Sequence, residues 1–273
     1  MVTVANLVVT GSTWEKKVDP LAEALEAQAN RYWIRVYNSP MHIMRYATES
    51  QQKAMLRELD EWHKPTDTRP CYVVCSSPSA AEGLGGLGSL KQALAVRESQ
   101  LRFAAIGEET AAEFAATLKL EGIARVRRED VITPSVSGHV DKLVQKLVDT
   151  APPGSLALIL EMSGDKGDLA RALVSGGFRV VRLPVFSISV QNLIDLPQSD
   201  LPWWFLVSSS SVLKTLVQDL RYQKKRPENV LWMGAFRSIE ANLKKLVPNA
   251  HWVHVPDLVP VDILEVISKS EYC

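Results

Sequence analysis

Four short segments share one chemical character: Ser76-Ser77-Pro78-Ser79-Ala80, Gly107-Glu108-Glu109-Thr110-Ala111, Ser208-Ser209-Ser210-Ser211-Val212 and Gly234-Ala235-Phe236-Arg237-Ser238. Each follows an apolar, strand-like run and opens a helical pattern. The first four N–H groups of a helix have no partner inside it, and the aligned peptide dipoles place partial positive charge at that end. Such ends bind carboxylate or phosphate without a formal cation. Serine and threonine add hydroxyl donors, although the same residues cap helices everywhere for reasons of stability alone. The pairing of the segments, serine-rich with serine-rich and Gly-x-x with Gly-x-x, favours an anion-binding role. The candidate binding groups are therefore Ser76, Ser77, Ser79, Gly107, Ser208, Ser209, Ser210, Arg237 and Ser238.

The elements that must position these turns form an internal repeat. Leu7–Val9, a helix over Asp19–Ala29 and Trp33–Tyr37 make a strand–helix–strand unit. Leu156–Leu160, a turn at Met162–Gly167, a helix carrying Leu169–Leu173 and Phe178–Phe186 make another. Cys71–Cys75 and Leu101–Ile106 lead into the first two turns; Trp203–Val207 and Val230–Met233 lead into the last two. Amphipathic helices over His139–Val148 and Val261–Ile267 close the halves. Apolar strands alternating with helices predict an α/β fold of two similar domains, each a parallel sheet flanked by helices, with the ligand at the carboxyl ends of the strands.

Length and charge agree. The chain has 273 residues, enough for two domains, with 46% hydrophobic and 23% charged residues. Lys+Arg and Asp+Glu both number 31, so no net field recruits nucleic acid or an anionic membrane. No apolar run approaches the roughly 18 residues of a spanning helix. The opening segment reads as a first strand, without a signal peptide. Cys71, Cys75 and Cys273 are few and odd in number, which predicts free thiols in a reducing cytosol.

Three other signals carry less. Gly83–Gly88 fits G-x-G-x-x-G, but Ser76–Glu82 separates it from the preceding strand. It is therefore expected to end a short helix and form a flexible loop, not to hold a dinucleotide. His251 and His254 point to opposite strand faces, while His42, His63 and His139 are scattered. Asp60–Pro70 reads as a surface loop.

The ordered set of motifs resembles the uroporphyrinogen-III synthase family. Ser77-Pro78-Ser79-Ala80 and Ile106-Gly107-Glu108-Glu109-Thr110-Ala111 carry the likeness best. The resemblance implies two similar domains joined by a two-stranded linker, with the ligand cleft between them. Residues 1–36 and 190–273 would form one discontinuous domain, residues 44–180 the other, and residues 37–43 and 181–189 the linker strands. It implies cyclisation of hydroxymethylbilane, a linear tetrapyrrole bearing carboxylates, with loss of water and inversion of the terminal ring. Binding and placement of donors would carry this reaction without metal or cofactor. A cytoplasmic monomer is the expected form.

By the same resemblance Thr110 matches the family threonine and is an expected catalytic residue, and Lys166 matches its basic residue and is expected to bind substrate. Three positions depart: Phe186 stands where tyrosine is usual, Arg237 where threonine is usual, and the first strand ends Thr10-Gly11 where Thr-Arg is usual. Tyr37, at the equivalent repeat position, is the expected substitute for the missing tyrosine. Two other classes fit the pattern: a relative that binds a polycarboxylate without turnover, and a hinged small-molecule sensor.

Overall fold

A computed structural model describes residues 3–15, 17–62, 69–96, 98–136 and 138–272. The chain divides into two compact units, Met1–Met44 with Ser189–Cys273, and Arg45–Ile188.

The first unit is built on a five-stranded sheet of β1 (Ala5–Val9), β3 (Ile34–Asn38), β9 (Trp203–Leu206), β10 (Leu231–Gly234) and β11 (His251–His254), in the order β11-β10-β9-β1-β3. Every pairing in it is parallel. The period-2 geometry of a strand sends alternate side chains to opposite faces. Val8, Phe205 and Trp232 pack on one side with Leu216 of α8 (Leu213–Tyr222) and Ile239 and Leu243 of α9 (Arg237–Leu246). Leu7, Val9, Trp204 and Met233 pack on the other with Leu25 of α1 (Pro20–Ala29) and Ile263 and Ile267 of α10 (Pro260–Ser268). Both faces are therefore covered, and each fully buried aliphatic side chain contributes about 1.5–3 kcal/mol. Helix α1 starts where the sequence places it: the Asp19 carboxylate accepts from the N–H groups of Leu21 and Ala22, and Pro20 occupies the first turn. A Cβ on Gly11 would collide with that carboxylate, so this close approach demands glycine.

The second unit contains β5 (Cys71–Cys75), β6 (Leu101–Ala105), β7 (Leu156–Met162) and β8 (Arg179–Val190). With β2 (Ser12–Trp14) and β4 (His42–Tyr46) they make a six-stranded sheet of order β2-β4-β8-β7-β5-β6. Tyr72, Val74 and Ile159 pack against Leu143 and Leu147 of α6 (Val140–Thr150) and Leu173 of α7 (Asp168–Ser175). Cys71 and Cys75 are both buried, and burial pushes the Cys75 thiol up to about 12.

Some boundaries differ from expectation. Tyr37 and Asn38 pair residue for residue with Val8 and Val9. They belong to β3, not to a connecting strand. The expected loop at Gly83–Gly88 shrinks to Gly86 and Leu87, between α3 (Pro78–Gly85) and α4 (Gly88–Ala95), and Leu87 is fully buried. Its apolar side chain joins the core, so the segment is packed. Asp60–Trp62 continue α2 (Glu49–Trp62). His63, most of the loop expected there, and Cys273 lie outside the described residues.

Candidate functional site

Both units are wound in the same sense. In the first, chain order from β1 runs outward to β3 on one side and through β9, β10 and β11 on the other. In the second, β5 is followed by β6 on one side and by β7 and β8 on the other. Each therefore has a topological switch point, between β1 and β9 and between β5 and β7. Loops leaving adjacent strands in opposite directions open a crevice there, at the carboxyl ends.

The second unit holds a cavity of about 670 Å³ at its switch point. Ser76, Ser77 and Ser79 after β5 line it, as do Glu161, Asp165 and Lys166 at the end of β7 and beyond. Ser77 caps α3, its Oγ accepting from the Ala80 N–H at 3.1 Å. Gly83, in the same helix, faces Val185 and Phe186, where a Cβ would come within 3.1 Å of Val185. Glycine thus lets α3 lie close to β8. Phe186 is 3% exposed and forms part of the cavity wall.

The wall looks acidic, yet each acid is already engaged. Glu161 is bonded to Arg182 Nε at 2.5 Å. Asp165 accepts from the Gly167 N–H at 2.7 Å. Asp168 pairs with Arg171. Burial raises the pKa of Glu161, and the Arg182 guanidinium pulls it back. The Lys166 ammonium makes no ion pair among the described residues. An anion entering the cavity therefore meets Lys166, serine hydroxyls and the positive end of α3.

The other expected residues are distributed differently. Gly107 precedes α5 (Glu108–Leu120), beside the edge strand β6, one strand away from the switch point. Thr110 is 5% exposed on the inner side of α5, and neither residue lines the cavity, although Ile106 does. Tyr37 packs its ring against Trp203, centroids 5.2 Å apart. Arg237 and Ser238 are exposed at the start of α9, after β10.

Ser208, Ser209 and Ser210 follow β9 at the first unit's switch point, and there the structure adds residues the sequence did not reveal. Ser209 Oγ lies 2.7 Å from Ser211 Oγ. Ser211 Oγ lies 2.9 Å from His42 Nε2, and His42 Nδ1 lies 3.3 Å from Ser12 Oγ. Ser12 and His42 are register partners in β2 and β4. Burial lowers the pKa of His42. No sequence pattern announces this chain, because its members are separated by 30 and 169 positions.

Two α/β units wound alike, each presenting hydroxyl-rich turns at its switch point, define a repeat-built α/β protein. The family model described as uroporphyrinogen-III synthase HemD matches residues 24–245, and the chain belongs to that family. Among solved structures, a mutant uroporphyrinogen III synthase from the extremely thermophilic bacterium Thermus thermophilus is 14% identical, with a TM-score of 0.52 over 97% of this chain and 98% of that one. The enzyme from Helicobacter pylori is 13% identical, with a TM-score of 0.50 over 96% and 99%. These likenesses establish the fold. No curated protein matched the chain.

Proposed function

We propose that the chain is a uroporphyrinogen-III synthase, closing hydroxymethylbilane to the inverted-ring macrocycle with loss of water. The observation that carries this reading is the second unit's cavity: about 670 Å³, at a switch point, with its acids internally paired and Lys166 and three serines left for carboxylates. The substrate carries several carboxylates and its own electrophile. The protein's work is therefore to bind, orient and help one hydroxyl depart, which positioned donors can do. Ser76, Ser77, Ser79 and Lys166 hold carboxylates in the second unit. Ser208, Ser209, Ser210, Arg237 and Ser238 do so in the first. The reaction uses no cofactor, and we assign it to a cytoplasmic monomer.

Phe186 favours a second reading. A phenylalanine in the cavity wall offers no proton, and a relative that binds the linear tetrapyrrole without turnover would tolerate it. One experiment separates the two. Hydroxymethylbilane is generated enzymatically in the presence of the protein, and the type III to type I uroporphyrin ratio is measured after oxidation. A dominant type III product supports the synthase. Only type I product sinks it, and tight binding without turnover then supports the second reading.

A further inference from the structure

Among the described residues, Ser12, His42 and Ser211 form the cluster of nucleophilic and titratable side chains at the first unit's switch point to which no carboxylate-binding role is assigned; Ser209 Oγ joins it through Ser211. Its geometry favours proton transfer over bracing. Both imidazole nitrogens face hydroxyls, Nε2 at 2.9 Å and Nδ1 at 3.3 Å. A serine hydroxyl donates or accepts according to how its proton rotates. The site therefore satisfies neutral imidazole and imidazolium equally well. A carboxylate partner would hold the charged form, and a backbone carbonyl would fix one tautomer. Ser211 is exposed while His42 is half-buried, so the serine faces solvent and the imidazole stands behind it.

We propose that Ser211, reprotonated by His42 with Ser12 as its orienting partner, is the acid that releases the terminal hydroxyl of the linear tetrapyrrole as water. This rests on the synthase reading above. The C–O bond breaks with its electron pair on oxygen, and the Ser211 proton completes a water molecule. The pyrrole nitrogen's lone pair fills the vacated carbon, giving a protonated azafulvene. His42 enters as imidazolium, passes its Nε2 proton to Ser211 and becomes neutral. The far pyrrole forms the new C–C bond at its substituted α-carbon, giving a spiro intermediate, and the electron pair of the azafulvene C=N returns to nitrogen. The old bridge bond to that carbon then breaks to leave a second azafulvene, which closes on the ring's free α-carbon and so inverts the ring. Rearomatisation then releases one C–H proton, which His42 takes up through Ser211. One water leaves and no net proton is consumed, so the relay is reset. Burial, which lowers the pKa of His42, makes the imidazolium readier to give its proton up.

The test uses the full-length protein and hydroxymethylbilane generated in situ. Ser211→Ala and His42→Gln are each expected to lower kcat for type III formation by about a hundredfold, the usual size of a general-acid contribution. KM should stay within about threefold, since the relay acts on the departing group and not on the ground state. Added imidazole should restore part of the rate to His42→Ala, which a purely structural brace would not allow. Because Ser211 lies on an exposed turn, the Ser211→Ala result does not depend on the fold tolerating a change at His42. The relay is overturned if the wild type makes type III product and either Ser211→Ala or His42→Gln keeps kcat within about twofold. A raised KM at constant kcat also overturns it, because the residues would then serve binding. If the wild type makes only type I product, the synthase reading and the relay fall together.

Discussion

Glu161, in the wall of the second unit's cavity, is paired with Arg182, and removal of the pair has a calculable cost. The Glu161 side chain is 4% exposed and that of Arg182 41%. Arg182 also donates through Nη2 to the Asp165 carbonyl at 2.8 Å, so it ties β8 to the loop that carries Lys166. Breaking a buried pair by deleting one partner costs about 3–5 kcal/mol, because the surviving charge is stranded. Here the deleted partner is partly solvated and water reaches the cavity, which reduces the expected loss for Arg182→Met to about 2 kcal/mol. In thermal unfolding that is a fall of about 4–8 °C.

The pH dependence gives the sharper check. A carboxyl group whose folded pKa is raised contributes stability below its unfolded value near 4.5, and that contribution is lost as pH rises through the folded pKa. Without Arg182, desolvation acts on Glu161 unopposed and raises that folded pKa further. The destabilisation of Arg182→Met should therefore be larger at about pH 7.5 than at about pH 5. Adding Glu161→Gln should recover more than half of the loss, as a double-mutant cycle measures directly. Equal destabilisation at the two pH values, or no recovery in the double variant, would refute the stranded-charge account.

Ser77→Ala removes the Oγ that accepts from the Ala80 N–H at 3.1 Å; urea denaturation should show a loss of about 1 kcal/mol. His42 titrates below its ordinary value of 6.5 in the fold, so the unfolded chain takes up the proton first and stability falls as pH drops from 6.5 towards the folded value. Thermal midpoints measured across that interval should show less of this decline in His42→Gln, and an unchanged slope would mean that other groups produce it.

The strands were legible because their apolar runs are buried on both faces: β1 and β5 are buried at every position, and no other element accommodates such runs so briefly. The serine turns after β5 and β9 were legible because helix starts have a sequence signature. Position in the sheet was not. Gly107 and Thr110 match the motif as well as Ser77 and Ser79 do, yet they follow the edge strand β6, and Thr110 faces inward to pack. Glu161 went unnoticed because an apolar-run reading stops at Leu160, whereas β7 continues to Met162 through a register shift. Tyr37 was placed by repeat arithmetic; it pairs with Val8 of β1 and its ring packs against Trp203.

The two switch points share a winding but not a chemistry, and this suggests a division of labour that kinetics can resolve. Among the described residues, the second unit's crevice offers one unpaired cation, Lys166, and no hydroxyl backed by a base; Phe186 forms part of its wall. The first unit's switch point has the backed hydroxyl, Ser211. Lysine against a substrate carboxylate acts alike in the ground state and the transition state, so Lys166→Met should raise KM, by about tenfold for one exposed charge-assisted contact, and leave kcat near its wild-type value. Ser211→Ala should do the reverse. If Lys166→Met instead lowered kcat at constant KM, the lysine would be interacting with the departing group, and the second unit would share in the chemistry that its phenylalanine argues against.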